Sequence, residues 1–140
     1  MNNRNKKYEI LSKKDFDLSV ERFYKKKKFK KLPNQIEKLV KEFESGEFSG
    51  SLLKRKPEPT PYEVYKKRLP NEDTKVGKSN GYRIVYLVAS ENKVVGLLDI
   101  YYKKETPSLP ETYINSLVDD FLNGLLQSNK ETEEYKEVQQ

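Results

Sequence analysis

Positively charged residues recur in this sequence where the ends of neighbouring β-strands are predicted. One group lies in a candidate strand, a second in the loop and strand that follow, and a third at the end of the next strand. They are Lys66, Lys67 and Arg68; Lys75, Lys78 and Arg83; and Lys103 and Lys104. On adjacent strands these cations would converge on one region and neutralise nucleic-acid phosphates with a salt-dependent affinity. The alternative for the first group is a solvated strand surface without a ligand.

Arg83 is the most specific of these cations because it follows Gly81 and Tyr82 at the start of an otherwise apolar strand. A guanidinium in this position could bind a phosphate through two parallel hydrogen bonds. The alternative is an ion pair with Asp99 across the predicted hairpin. The two roles are compatible.

Tyrosines alternate with the cations along the same strands: Tyr82, Tyr86, Tyr101 and Tyr102. Aromatic rings beside cations suit the stacking of unpaired bases, although tyrosine is also a common core residue of strands. Tyr101 is the preferred site candidate because it shares side-chain parity with Asp99 and Lys103.

The composition limits the chemistry that these residues can perform. The 140 residues include no histidine and no cysteine, which excludes disulfides, cysteine nucleophiles and serine–histidine triads. A general base must therefore be Lys, Tyr, Asp or Glu. No carboxylate cluster is evident, so we predict neither a metal site nor a small-molecule cofactor. The formal net charge of +6 favours a polyanionic partner, namely RNA, DNA or an acidic protein.

Neither a membrane span nor a signal peptide is predicted. No apolar run approaches the roughly 18 residues that a spanning helix needs, and the N-terminus lacks an apolar centre. We therefore expect a cytoplasmic protein without membrane association.

Hydrophobic periodicity predicts seven elements in the order β, α, α, β, β, β, α. The helices are expected near residues 14–30, 33–46 and 113–125, and the strands near 8–11, 62–69, 81–89 and 93–103. Residues 44–61 contain two glycines and three prolines and are predicted to form an irregular loop. This order predicts an α+β fold. The N-terminal strand and helical hairpin would pack on a curved, mostly antiparallel sheet, and a helix would end the chain.

Three segments together resemble the RelE/ParE-like superfamily of bacterial toxins. They are Tyr65–Leu69, Gly81–Tyr86, and Leu97–Tyr101 with the Lys103-Lys104-Glu105 that follows. The resemblance covers roughly residues 7–127, which we predict to be a single RelE-like domain. Residues 1–6 would then be a disordered basic arm, and residues 128–140 a polar tail.

The RelE branch of this superfamily implies a toxin of a type II toxin–antitoxin system that cuts mRNA on the ribosome without a metal. Its partners would be mRNA, the ribosome and a cognate antitoxin. The resemblance places catalysis on Lys66, Arg68, Arg83, Lys103 or Lys104, with Tyr101 stacking a base or orienting the hydroxyl. Further RNA contacts would come from Lys67, Lys75, Lys78 and Tyr82. RelE-type enzymes usually carry an arginine where this chain has Lys104.

Among the catalytic candidates, Lys66 would be the general base, and neighbouring cations would favour its neutral form. Arg83 would stabilise transition-state charge, and Lys103 or Lys104 would assist the leaving group. Two alternatives remain open. The ParE branch implies a non-catalytic inhibitor of DNA gyrase, and the third reading is an inactive basic RNA-binding domain.

Overall fold

The computed structural model describes the backbone of residues 7–56, 62–75 and 77–139. Side chains are described for the same residues, with the exception of 54–56 and 128–139. The basic arm predicted at residues 1–6 and part of the predicted 44–61 loop lie outside the described residues.

A five-stranded mixed sheet forms the centre of the fold. Its strands are β1 (Glu9–Ser12), β2 (Ser51–Lys56), β3 (Tyr62–Leu69), β4 (Tyr82–Ala89) and β5 (Val94–Tyr102). Their order across the sheet is β1-β5-β4-β3-β2. Only the β1–β5 pair is parallel, and the other three pairs are antiparallel. The predicted α+β class and mostly antiparallel sheet are confirmed.

Two amphipathic helices, α1 (Lys14–Lys25) and α2 (Leu32–Glu44), follow β1. Acidic residues in the first turn of α1 and basic residues in its last turn complement the helix dipole. Pro33 lies in the first turn of α2, where its missing N–H costs nothing.

The helix predicted near 14–30 ends earlier, at Lys25. Lys28 adopts a left-handed backbone with φ 64°, and the Phe29 N–H bonds the Phe23 carbonyl at 3.0 Å. This reversal turns Phe29 into the core, where it is 6% exposed.

The core contains an aromatic cluster between the two helices and one face of the sheet. Phe23 and Phe29 from the helical hairpin meet Tyr82 and Tyr102 with ring centroids 5.4–6.5 Å apart. A second pair of rings joins α2 to β4, where the Phe43 and Tyr86 ring centroids lie 4.3 Å apart. Burying such side chains stabilises the fold by about 1.5–3 kcal/mol each. The face of β4 that carries Tyr82, Ile84 and Tyr86 is therefore the core face.

Strand β2 corrects the prediction that residues 44–61 form an irregular loop. Ser51–Lys56 pairs with Tyr62–Lys66 of β3, with a register irregularity near Leu52. Leu52 and Leu53 are 49% and 41% exposed, as expected of an edge strand. The Tyr86 hydroxyl fixes the preceding segment, because it donates to the Ser49 carbonyl and accepts from the Ser49 N–H.

The chain divides into two compact units, Met1–Ser108 and Leu109–Gln140. The second unit is built on α3 (Glu111–Gln139), so the helix predicted near 113–125 is confirmed and extends through most of the predicted polar tail. The prediction of one domain over residues 7–127 stays a prediction. Within the described ranges, no helix combines the length and apolarity that crossing a bilayer requires.

Candidate nucleic-acid interface

Strand register brings several sequence-predicted site residues onto one face of the sheet. Arg68 of β3 lies directly opposite Arg83 of β4, and Arg83 lies opposite Tyr101 of β5. Lys66 lies two residues before Arg68 and therefore shares its face. This is the side of the strands opposite to the Tyr82–Tyr86 core face. We call this side of the strands, which carries Lys66, Arg68, Arg83 and Tyr101, the cationic face.

Arg83 is buried beneath this face at 4% exposure. Its guanidinium donates to the Lys78 carbonyl at 2.8 Å, the Ser79 carbonyl at 3.0 Å and the Tyr82 carbonyl at 3.2 Å. It therefore holds the 3₁₀ turn Lys78–Asn80 against the start of β4. In this structure Arg83 positions that turn and has little surface left for a phosphate, contrary to the prediction of direct phosphate binding.

The predicted Arg83–Asp99 ion pair is not formed among the described residues. An irregularity between Val85 and Tyr86 shifts the β4–β5 register, so that Asp99 lies opposite Val85. The Asp99 carboxylate accepts hydrogen bonds from the Ser19 hydroxyl at 2.9 Å and from the Ile100 N–H at 2.8 Å.

The charge of Arg83 is opposed by its neighbour on β3. Burial lowers the pKa of Arg83, the positive charge of Arg68 lowers it further, and Tyr101 acts in the opposite direction. Like charges directly opposite each other on neighbouring strands destabilise a sheet. Two arginines in this arrangement therefore create a local preference for an anion.

Lys66 and Arg68 are the cations of this face that reach solvent. Lys66 is half-buried and Arg68 is exposed. Within the described part of the chain, the salt bridges involve other residues, and neither Lys66 nor Arg68 pairs with a carboxylate. Both charges are available to an external anion.

Tyr101 is 6% exposed, and burial raises its pKa while the charge of Arg83 lowers it. Tyr101 lies opposite Arg83, whereas Asp99, which was predicted to share its parity, contacts Ser19 of α1 on the core side of the sheet. Tyr82, predicted to contact RNA, is fully buried in the aromatic core, where burial raises its pKa. That prediction is corrected, because Tyr82 offers no surface for base stacking.

The remaining predicted lysines lie outside the cationic face. Lys67 belongs to the opposite face of β3 and donates to the Ser49 hydroxyl at 2.5 Å. Lys75 and Lys78 are exposed in the β3–β4 connection, and Lys75 has φ 61°.

Lys103 and Lys104 lie in the turn after β5, near the start of β4, since the Lys103 N–H bonds the Gly81 carbonyl at 2.9 Å. Glu105 fixes this turn to α1, a role that its local sequence does not indicate. Its carboxylate lies 2.8 Å from Arg22 and 3.1 Å from Lys27, and these partners lower the pKa of Glu105. Ion-pair partners so distant in sequence give no local sequence signal.

Metal-binding side chains are not grouped in the described residues, where no three Asp or Glu carboxylates come together. Comparison of the chain with known protein families, curated proteins and solved structures finds no significant match.

Proposed function

We propose that this protein is a RelE-type toxin, a metal-independent endoribonuclease that cuts mRNA on the ribosome and is neutralised by a cognate antitoxin. The observation that carries the proposal is the cationic face. Arg68 lies opposite Arg83, and neither it nor Lys66 pairs with a carboxylate in the described part of the chain. Such a face favours an anion with several oxygens, and RNA phosphate meets that requirement.

In the proposed reaction, Lys66 accepts the proton of an RNA 2′-hydroxyl. The 2′-oxygen attacks the adjacent phosphorus, and the bond from phosphorus to the 5′-oxygen breaks. Arg68 stabilises the negative charge that develops on the phosphorane oxygens. Lys103 or Lys104 donates a proton to the departing 5′-oxygen. The products carry a 2′,3′-cyclic phosphate and a 5′-hydroxyl.

Arg83 and Tyr101 support this reaction from below the surface. The buried guanidinium adds positive potential under Arg68 and holds the Lys78–Asn80 turn. Tyr101 of β5 lies opposite Arg83 and is buried with it. We therefore assign Arg83 as a positioning residue and propose that Arg68, rather than Arg83, contacts the phosphate.

The test uses the full-length protein and mRNA in assembled, stalled ribosomes. Lys66→Ala should slow single-turnover cleavage by about 10²–10⁴-fold at saturating protein. Lys41→Ala removes the same charge from an exposed lysine of α2 outside the cationic face, so it should leave the saturated rate unchanged. A 2′-deoxy sugar at the scissile position should block cleavage, and cutting of this substrate would refute the mechanism.

A second candidate function is inhibition of DNA gyrase without catalysis. It is favoured by the burial of Arg83 and Tyr101, which are only 4% and 6% exposed. If stalled ribosomes leave the mRNA intact while supercoiling by gyrase is blocked, this function replaces the first. If the wild-type protein neither cuts mRNA nor inhibits gyrase but still binds RNA, it is an inactive RNA-binding domain.

A further inference from the structure

A charged groove lies beside the cationic face, between α2 and the end of β3. Strand β2 pairs with β3 only as far as Lys66, so within the described residues Lys67–Leu69 is an edge of the sheet without a strand partner. The cavity at this edge has a volume of about 220 Å³. Its charged lining consists of Lys38, Lys67, Arg68 and Lys78, together with Glu42 and Glu72. We call it the α2–β3 groove.

Two buried side chains fix the walls of the groove. Gln35 of α2 is 5% exposed; its amide donates to the Pro70 carbonyl at 2.6 Å and accepts from the Glu72 N–H at 3.4 Å. On the other side, Arg83 holds the turn that carries Lys78. The groove is therefore a formed feature of the fold, with walls that are set before any ligand arrives.

The charge balance of the groove favours an anion. Four cations from α2, β3 and the 3₁₀ turn face two carboxylates, an excess of two positive charges. Within the described residues, Lys38 and Lys78 form no ion pair, and Lys67 donates to the uncharged Ser49 hydroxyl. The carboxylates therefore leave these cations without a fixed partner.

Arg68 connects the groove to the cationic face. It lines the groove and also lies opposite Arg83 on the cationic face. A ligand that contacts both surfaces must bend around the Lys67–Leu69 edge of β3. A duplex resists such bending, because DNA has a persistence length of about 150 base pairs, whereas a single strand is flexible.

We propose that the α2–β3 groove binds the phosphodiester backbone of single-stranded RNA beside the nucleotide that reaches the cationic face. The proposal rests on the proposed function in taking this RNA to be the substrate. Binding itself does not require cleavage, so the two proposals can fail separately.

The test is fluorescence anisotropy of a labelled single-stranded oligoribonucleotide, titrated with the full-length protein across a range of salt concentrations. Each phosphate contact contributes about 0.7 to the slope of log affinity against log salt for a single strand. Lys38→Gln and Lys78→Gln should each lower the slope by that amount, and the double variant by about 1.4. Each single substitution should therefore weaken binding at 0.1 M salt about fivefold more than it weakens binding at 1 M salt.

Lys41→Gln is the matched control, because Lys41 is an exposed lysine of α2 that does not line the groove. It changes the net charge equally and should leave the slope close to that of the wild type. Equal slopes for Lys38→Gln, Lys78→Gln and Lys41→Gln would overturn the proposal. So would wild-type protein that binds no RNA, or that binds an acidic protein through the groove instead.

The same variants separate the groove from the proposed function. Reduced slopes in a protein that never cuts mRNA would support the groove and reject the nuclease. Unchanged slopes in a protein that cuts mRNA with Lys66 dependence would reject the groove and leave the nuclease standing. Thermal unfolding followed by circular dichroism should show that Lys38→Gln and Lys78→Gln fold like the wild type, because both residues are exposed.

Discussion

Replacing Arg83 by alanine should destabilise the fold, and this expectation distinguishes a positioning residue from an exposed ligand-binding cation. The guanidinium makes three hydrogen bonds to backbone carbonyls and is 4% exposed. Hydrogen bonds from charged groups contribute about 1.5–3 kcal/mol each. One of the three is long, at 3.2 Å, and shares its donor with another.

The net cost of Arg83→Ala is smaller than the sum of these bonds. Water can replace part of the hydrogen bonding at the carbonyls of the Lys78–Asn80 turn, and removing Arg83 also relieves its repulsion with Arg68. We therefore expect the free energy of unfolding to fall by about 2–4 kcal/mol. For a chain of this size the unfolding midpoint should fall by about 10 °C.

The assay is urea unfolding followed by circular dichroism, with Arg68→Ala as the matched control. Arg68 lies directly opposite Arg83 and carries the same charge, but it is exposed and forms no ion pair in the described part of the chain. Its removal should change stability by less than about 0.5 kcal/mol. An Arg83→Ala variant as stable as the wild type, or an equally destabilised Arg68→Ala, would refute the positioning role.

Three further outcomes are expected. Glu105→Gln should remove a small, pH-dependent contribution to the free energy of unfolding. Arg22 lowers the pKa of Glu105 in the folded state. The contribution is therefore present above pH 4.5 and is lost as the pH falls through the lowered pKa. Since Glu105 is near the surface, its size should be below about 1 kcal/mol, measured from unfolding free energies between pH 3 and pH 7. Gly81→Ala should cost about 1–3 kcal/mol in urea unfolding, because its Cβ would lie 2.3 Å from the Leu69 carbonyl oxygen; a neutral result would contradict the close approach. Tyr82→Phe should raise the free energy of unfolding by about 1 kcal/mol, because the buried hydroxyl has no hydrogen-bond partner among the described residues. The same variant should leave RNA binding unchanged. Weaker RNA binding would show that Tyr82 belongs to the interface.

Much of the fold could be predicted because its elements carry local sequence signals. The stripe of Phe16, Val20 and Phe23 marks α1, and the apolar runs of β4 and β5 mark the central hairpin. Strand β2 gives no comparable signal, since Ser51–Lys56 lacks apolar alternation and follows two nearby glycines. Its strand conformation comes from pairing with β3, a tertiary contact that the sequence pattern does not encode.

The candidate site divides in the same way. Strand alternation is enough to place Lys66 and Arg68 on one face of β3 and Lys67 on the other, and the register agrees with it. The burial of each arginine side chain could not be predicted, because nothing in the residue type distinguishes buried Arg83 from exposed Arg68. The irregularity at Val85 also changes which residue faces Arg83, and a shift of one position in register has no local sequence signature.

The opposed arginines are the basis of the function proposed for the cationic face. Arg68 lowers the pKa of Arg83, which means that each charge is less stable in the presence of the other. A carboxylate between them would remove this repulsion, yet Arg83 uses backbone carbonyls and Arg68 faces solvent. Local arrangements that cost stability without a compensating contact occur mainly at functional sites. Under the proposed function, an RNA phosphate would supply the negative charge that lies beside neither arginine in the described residues.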